Sequence, residues 1–79
     1  MKVTLKYFAI LREQRGLSEE TIDTEAKTAG DLYAELKETH KFTLNVNQLR
    51  IAVNDTFVAA DTVLNDGDVL VFIPPVAGG

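Results

Sequence analysis

The chain has 79 residues, the length of one small domain, and 46% of them are hydrophobic, although a chain this short buries only about 60% of the surface that its unfolded form exposes. It contains no cysteine, so neither disulfides nor a cysteine-ligated metal site can stabilise the fold. The net charge of −4, without a basic stripe or a nucleic-acid-binding motif, argues against a nucleic-acid partner and favours a basic protein surface.

The sequence begins with the pattern of a strand. Apolar residues occupy every second position at Val3, Leu5 and Tyr7, which is the period of a strand with one buried face and predicts a strand over residues 2–8. This alternation lacks the continuous apolar run of a signal peptide, and no apolar stretch approaches the roughly 20 residues that cross a bilayer. We therefore expect a cytoplasmic protein with no membrane partner.

Two short elements follow the first strand. Residues 9–15 are mostly good helix formers, and Gly16 behind them suits the left-handed conformation at a helix end. The sequence therefore predicts a short helix there. Residues 19–24 alternate around Ile22 and are predicted to pair antiparallel with the first strand.

The principal helix is predicted over residues 29–39. Thr28 precedes it as the N-cap, and Asp31 adds a negative charge at the positive end of the helix dipole. Its apolar stripe consists of Leu32, Tyr33 and Leu36. His40 is the single histidine, and one imidazole without cysteines makes a poor metal site. We expect His40 on the surface at the helix end, and no metal.

Three further strands complete the pattern. Residues 49–53 and 56–58 flank the turn pair Asn54-Asp55 and predict a hairpin. Residues 69–73 follow a strong turn signal and are apolar throughout, as a central strand would be. Pro74-Pro75 ends that strand, because proline cannot donate a hydrogen bond to a sheet.

These elements predict an α+β fold. A mixed sheet that pairs the two ends of the chain, with the principal helix packed across it through a right-handed crossover, buries the apolar faces of both. This is the β-grasp, or ubiquitin-like, arrangement. It divides the chain into a domain at residues 1–75 and a flexible reactive tail at residues 76–79.

The tail is suited to reach into another protein. Pro74-Pro75 directs the chain away from the domain, and the stretch up to Gly79 reaches at most about 20 Å. Gly78-Gly79 carries no side chains and can pass through a narrow channel. The reactive atom is then the carboxyl carbon of Gly79. It is a poor electrophile until a separate ATP-dependent enzyme activates it, typically as an acyl-adenylate.

The ending FIPPVAGG, residues 72–79, resembles that of molybdopterin synthase small subunits, the MoaD family of sulfur carriers. The resemblance extends to residues 8–13, 53–56 and 64–68, and the length and the order of elements agree over essentially the whole chain. The tail positions that the resemblance assigns to insertion into a partner's pocket are Pro74, Pro75, Val76, Ala77 and Gly78.

The resemblance implies a function in molybdenum-cofactor synthesis. An activating enzyme would adenylate Gly79, and a sulfurtransferase that bears a persulfide would replace AMP with sulfur. The resulting thiocarboxylate would enter the large synthase subunit and donate sulfur to cyclic pyranopterin monophosphate, forming the dithiolene of molybdopterin. The chain itself would bind no cofactor and would supply sulfur without catalytic groups of its own. A heterotetramer with the large subunit is also implied.

An apolar contact surface for the large subunit is implied at three positions, Phe8, Phe57 and Ile73. Phe8 fits this surface independently, since the predicted strand places it on the face opposite Val3 and Tyr7. The residue types alone are equally compatible with all three side chains lying in the core.

Other functions share the same features. A thiamine-pathway sulfur carrier has the fold and the terminal glycines but is usually shorter and lacks the Pro-Pro-Val ending. A tRNA-thiolation or protein-conjugating modifier would join Gly79 to lysine through an isopeptide bond. A non-catalytic β-grasp interaction module would use its sheet surface, and its tail would be incidental.

Overall fold

The computed structural model describes residues 1–75, and the predicted tail at 76–79 lies outside the described residues. In chain order the elements are β1 (Lys2–Tyr7), α1 (Ile10–Arg15), β2 (Glu19–Asp23), α2 (Ala29–His40), a 3₁₀ turn (Val46–Gln48), β3 (Arg50–Val53), β4 (Thr56–Val58) and β5 (Val69–Ile73). The predicted elements are confirmed, with ends shifted by one or two residues at most, and the 3₁₀ turn is an addition.

The strands form one mixed sheet in the order β2-β1-β5-β3-β4. The two ends of the chain meet in its centre, where β1 and β5 run parallel with Leu5 opposite Leu70 and Tyr7 opposite Phe72. The other neighbouring strands are antiparallel. The apolar run 69–73 is therefore the central strand, as predicted, because it has neighbours on both edges.

The core lies between one face of this sheet and the helices. It includes Leu11 from α1 and the apolar stripe of α2, which confirms the prediction that Leu32, Tyr33 and Leu36 face inward. The Tyr33 ring lies 5.3 Å from that of Phe72 and 5.8 Å from that of Phe42, centroid to centroid. These aromatic contacts bind the helix to the central strand.

Local hydrogen bonds determine where the elements begin and end. The backbone N–H of Asp31 donates to the Thr28 hydroxyl at 3.1 Å, which confirms the N-cap of α2. Gly16 adopts the left-handed conformation at the end of α1, with φ of 83°. The positive φ of both Asn54 and Asp55 gives the β3–β4 turn the twist that hairpins favour.

The turn between β3 and β4 is also tied to the start of β5. The Asn54 side-chain amide donates to the Asp68 carboxylate at 2.9 Å and accepts from the Val69 N–H at 3.0 Å. The N–H of Asn65 donates to the other carboxylate oxygen of Asp68 at 2.8 Å. Buried Asp68 is thereby satisfied on both oxygens, which positions β5 in the sheet. Among residues 1–75, neither helix has the length and apolarity that crossing a bilayer demands.

Candidate functional site

The face of the sheet opposite α2 carries apolar side chains. Successive strand residues point to opposite faces. Leu70 and Phe72 are buried, so their neighbours along β5, Val71 and Ile73, lie on the open face, and both are partly exposed. The register extends the patch across the sheet, since Ala52 pairs with both Val71 and Phe57. Phe57 is 59% exposed and forms the outer limit of the patch on β4.

Arg50 joins Phe57 to the central strand. Its backbone pairs with Ile73, and its guanidinium carbon lies 4.5 Å from the centroid of the Phe57 ring. A cation over an aromatic face contributes about 0.5–1 kcal/mol at an exposed site. The contact favours one orientation of the exposed ring and adds positive charge to the patch.

An apolar groove lies where β5 ends. It has a volume of about 650 Å³ and is lined by Phe8, Ala9, Ile10, Leu44, Ile73, Pro74 and Pro75. Pro74 is buried and Pro75 is exposed, while Phe8 and Ile10 keep 48% and 40% of their surface exposed. The last two described residues of the chain are therefore part of the wall of the groove.

The turn that enters α1 is strained at the groove. Ala9 has φ of 52° and ψ of −127°, a region that residues with a Cβ rarely adopt. The turn is closed by the Leu11 N–H, which donates to the Phe8 carbonyl at 3.1 Å. Strain of this kind costs about 1–3 kcal/mol and persists where the surrounding structure enforces it, often at functional sites.

A polar cluster supports the end of β1. Arg15 donates two hydrogen bonds of 2.8 Å to the Glu20 carboxylate, and the Tyr7 hydroxyl donates to the same carboxylate at 2.7 Å. Hydrogen bonding from Arg15 lowers the pKa of Glu20, whereas burial raises the pKa of Tyr7. Burial, and then the positive charge of Arg15, lower the pKa of His40. The cluster keeps Tyr7 in place and with it the start of the Phe8 turn.

The predicted contact residues have distinct positions. Phe8 and Phe57 are exposed, so the core interpretation is wrong for both, and Ile73 is partly exposed. Phe8 and Ile73 share the groove, and Phe57 is linked to them through Arg50. Phe8 directly follows β1, which ends one residue earlier than predicted. Their role in binding a partner stays a prediction.

Sequence reasoning missed two lining residues of the groove, Ile10 and Leu44. The sequence predicts Ile10 only as part of a helix. In the structure the next residue, Leu11, is the buried one, and the side chain of Ile10 therefore faces outward. Leu44 follows α2 in a segment without a periodic pattern, so only the tertiary structure places it beside Pro74. His40 lies at the end of α2 as predicted, half-buried against Phe42.

The described residues form an apolar surface and include the proline pair that precedes the tail. Within residues 1–75, no three His, Cys, Asp or Glu side chains are grouped so that they could hold a metal ion. The predicted reactive and insertion residues beyond Pro75, which are Val76, Ala77, Gly78 and Gly79, lie outside the described residues. The described arrangement is an apolar surface suited to contact with another protein.

Comparison with known proteins gives one family and close relatives of known name. The model of the ThiS family matches residues 5–79. The molybdopterin synthase sulfur carrier subunit of Mycobacterium tuberculosis is 33% identical over 82 residues, which cover 100% of this chain and 99% of the relative. This match confirms the resemblance seen in the sequence.

Solved structures with the same fold have related names. A putative molybdopterin converting factor subunit 1 from Pyrococcus furiosus is 38% identical, with a TM-score of 0.79 over 96% of this chain and 99% of that one. A complex of subunits 1 and 2 of molybdopterin-converting factor from Helicobacter pylori contains a chain that is 29% identical, with a TM-score of 0.68 and full coverage of both. SAMP1 of Haloferax volcanii, a small archaeal modifier protein, is 26% identical with a TM-score of 0.81 and full coverage of both. The predicted ubiquitin-like β-grasp fold is confirmed.

Proposed function

The chain belongs to the ThiS family, and we propose that it is the sulfur carrier subunit of a molybdopterin synthase, with the carboxylate of Gly79 as the group that accepts and delivers sulfur. The proposal rests on the position of Pro74-Pro75, the residues that precede the tail. The central strand β5 ends at Ile73, Pro74-Pro75 lies at an exposed apolar surface, and Gly78-Gly79 follows after two intervening residues in the sequence. A protein that covers this surface contacts the chain four residues before its reactive end.

The chemistry needs an activation step first. A carboxylate oxygen of Gly79 attacks the α-phosphate of ATP on a separate activating enzyme, which forms the acyl-adenylate and releases pyrophosphate. A persulfide sulfur of a sulfurtransferase then attacks the activated carbonyl, and AMP leaves. A thiol then attacks the sulfurtransferase sulfur of the resulting acyl disulfide and forms a disulfide with it, and the thiocarboxylate of Gly79 is the leaving group. The side chain of a residue at this position would crowd these reactions, which explains the use of glycine.

Delivery of sulfur takes place in the large subunit. The thiocarboxylate sulfur is transferred to cyclic pyranopterin monophosphate, and an oxygen from water restores the carboxylate of Gly79. Each chain delivers one sulfur, so the dithiolene of molybdopterin requires two transfers. The acid–base groups of this step belong to the large subunit, since this chain contributes a backbone carboxylate and a docking surface.

Docking uses the open face and the groove, with Phe8, Phe57 and Ile73 as contacts. Their exposure supports this role, because exposed aromatic and aliphatic side chains gathered on one surface mark interaction sites. The Helicobacter pylori structure, which contains subunits 1 and 2 of molybdopterin-converting factor together, supports a large subunit as the partner. The complex is a heterotetramer, and it acts in the cytoplasm, where the activating enzyme has ATP.

Reconstitution tests the proposal. Purified chain, activating enzyme, sulfur donor, large subunit and cyclic pyranopterin monophosphate are combined, and molybdopterin is measured by its fluorescent oxidation product. The wild-type chain is expected to support product formation, and a chain without Gly79 is expected to support none while it unfolds at the same temperature. Product formation by the shortened chain would contradict the proposal and favour a non-catalytic interaction module.

A second candidate function is protein modification. The similarity to SAMP1 favours it, since a modifier with the same activated Gly79 would form an isopeptide bond with a lysine instead of releasing sulfur. Expression of the tagged chain in cells, followed by digestion and mass spectrometry, distinguishes the two. Peptides with a lysine joined to Gly79 would support the modifier, and their absence together with active sulfur transfer supports the carrier.

A further inference from the structure

The two walls of the groove come from separate parts of the chain. One wall is the turn into α1, with Phe8, Ala9 and Ile10, and the other is Leu44, more than thirty positions further along. Neighbouring residues connect the walls through side-chain hydrogen bonds. The Gln14 amide nitrogen donates to the Thr43 hydroxyl at 2.9 Å, and the N–H of Thr43 donates to the Gln14 amide oxygen at 3.3 Å. We call this pair the Gln14–Thr43 brace.

The backbone of Leu44 is also hydrogen-bonded to a core residue. The side chain of Tyr33 on α2 is fully buried. Its hydroxyl donates to the Leu44 carbonyl at 2.8 Å. This bond fixes Leu44 relative to the core. The Gln14–Thr43 brace then sets the distance between Leu44 and the α1 wall, because Gln14 lies on α1 and Thr43 directly precedes Leu44.

The groove seats the proline pair from which the tail leaves. Pro74 is buried among the groove residues, and Pro75 is exposed at its rim. Each pyrrolidine ring fixes its own backbone φ, so the seating of the two rings largely determines the backbone conformation of Pro74 and Pro75. The residues that line the groove are therefore the ones that hold Pro74 in place.

We propose that Gln14 is a positioning residue for the reaction at Gly79: its brace with Thr43 keeps the groove at the width that seats Pro74 and so holds the proline pair to which the C-terminal residues are attached. The inference rests on the proposed function, since it concerns how the tail is presented to the enzymes that act on it. Both partners of the brace are on the surface, where a hydrogen bond adds little net stability. A misplacement of about 1 Å, however, costs up to about 100-fold in rate. The brace therefore matters for reaction more than for folding.

The test compares three variants of the full chain. Gln14→Met removes both hydrogen bonds and keeps side-chain length and helix propensity. Thr43→Ser keeps the hydroxyl and the N–H, so it keeps the brace. Thr21→Val removes a different exposed hydrogen bond, with Thr4 on the far side of the sheet, and serves as the matched control. Each variant is assayed for thermal unfolding, for proline-ring chemical shifts by NMR, and for the rate of thiocarboxylate formation at saturating and at low carrier concentration.

The expected result is specific to Gln14→Met. Its melting temperature stays near that of the wild type, the ring shifts of Pro74 and Pro75 move, and the rate at saturating carrier falls by about tenfold. Thr43→Ser and Thr21→Val behave like the wild type in all three measurements. Wild-type rates and ring shifts for Gln14→Met would overturn the inference, as would a loss confined to low carrier concentration, which would mean weaker docking.

The outcomes also separate this inference from the proposed function. A wild-type chain that forms no thiocarboxylate would overturn the proposed function and the positioning role with it. A wild-type chain that reacts, together with Gln14→Met that reacts equally fast at saturation, would overturn the positioning role alone.

Discussion

The N–H of Gly30 donates to the carbonyl oxygen of Ala60 at 2.7 Å, and a Cβ placed on Gly30 would lie 3.0 Å from that same oxygen. The first turn of α2 thus lies directly against the segment that follows β4. The neighbouring N–H of Ala29 donates to the Thr62 carbonyl at 3.0 Å, so two helix N–H groups without intrahelical partners are satisfied by this segment. The contact fixes α2 over the sheet. It requires glycine, because a side chain at this position would not let the two backbones come so close.

Gly30→Ala is expected to destabilise the domain. Alanine is the better helix former by about 1 kcal/mol, but overpacking against backbone costs about 1–3 kcal/mol, which leaves a net loss of about 1 kcal/mol. Urea unfolding measures the difference. Glu38→Ala, an exposed change on the same helix, should stay within about 0.5 kcal/mol of wild type. A gain in stability for Gly30→Ala would contradict this expectation, because it would mean that the backbone at Ala60 moves away at little cost.

Ala9→Gly is expected to stabilise the domain. Glycine adopts the φ of 52° and ψ of −127° seen at Ala9 without the steric cost of about 1–3 kcal/mol, although it adds about 0.5–1 kcal/mol of unfolded-state entropy. The net gain is about 1 kcal/mol, which raises the melting temperature by about 4–8 °C in a domain of this size. Ala34→Gly, at an exposed position inside α2, should lose about 1 kcal/mol. Equal losses for both variants would contradict the strain at Ala9.

Glu20→Gln is expected to reduce the acid dependence of stability. Arg15 and Tyr7 stabilise the charged carboxylate, so the pKa of Glu20 in the folded state lies below its ordinary value of 4.5. The unfolded chain therefore takes up the proton first as the pH falls, and the stabilisation, complete above about pH 5, is lost as the pH drops through the folded-state pKa. At neutral pH the variant should lose about 1–2 kcal/mol.

The difference between wild type and Glu20→Gln is followed by urea unfolding over a series of pH values. It should shrink steadily below the ordinary pKa of a glutamate. A difference that stays constant down to the acid limit would mean that the charge of Glu20 contributes nothing and that only the shape of its side chain matters.

Phe57→Ala is expected to weaken binding of the large subunit and to leave the fold nearly unchanged. The ring is 59% exposed, so its removal costs about 1 kcal/mol at most, chiefly the contact with Arg50. An aromatic anchor at an interface is worth about 2 kcal/mol or more, so the Kd should rise about 30-fold. Val63→Ala, which is 66% exposed but lies in the loop before β5, is the matched control. Equal effects of the two variants, measured by calorimetry, would contradict docking through the open face.

Local chemistry made much of the fold predictable. The alternation at Val3, Leu5 and Tyr7, the Thr28 cap and the apolar run 69–73 each depend on near neighbours or on a strong period, and each is confirmed. The positive φ of Ala9 escaped prediction because alanine does not signal that conformation. The Gln14–Thr43 brace and the place of Leu44 in the groove depend on contacts between distant segments, which no local pattern contains.

The candidate site was predictable only in part and for a different reason. The tail sequence predicts Gly79 and its neighbours as the reactive end through chemistry and through resemblance to a family, and this stays a prediction because residues 76–79 lie outside the described residues. The exposure of Phe57, in contrast, follows from the register of β3 with β4, and that of Phe8 from its place in the turn that follows β1. Residue type alone left these aromatic side chains equally compatible with the core.

The most direct measurement of the central claim is the intact mass of the chain after incubation with ATP, its activating enzyme and a sulfur donor. The account predicts a mass gain that corresponds to replacement of one oxygen by one sulfur. This gain should reverse when the large subunit and cyclic pyranopterin monophosphate are added, and a chain without Gly79 should not show it. An unchanged wild-type mass, with enzymes shown to be active on another carrier, would contradict sulfur transfer through Gly79.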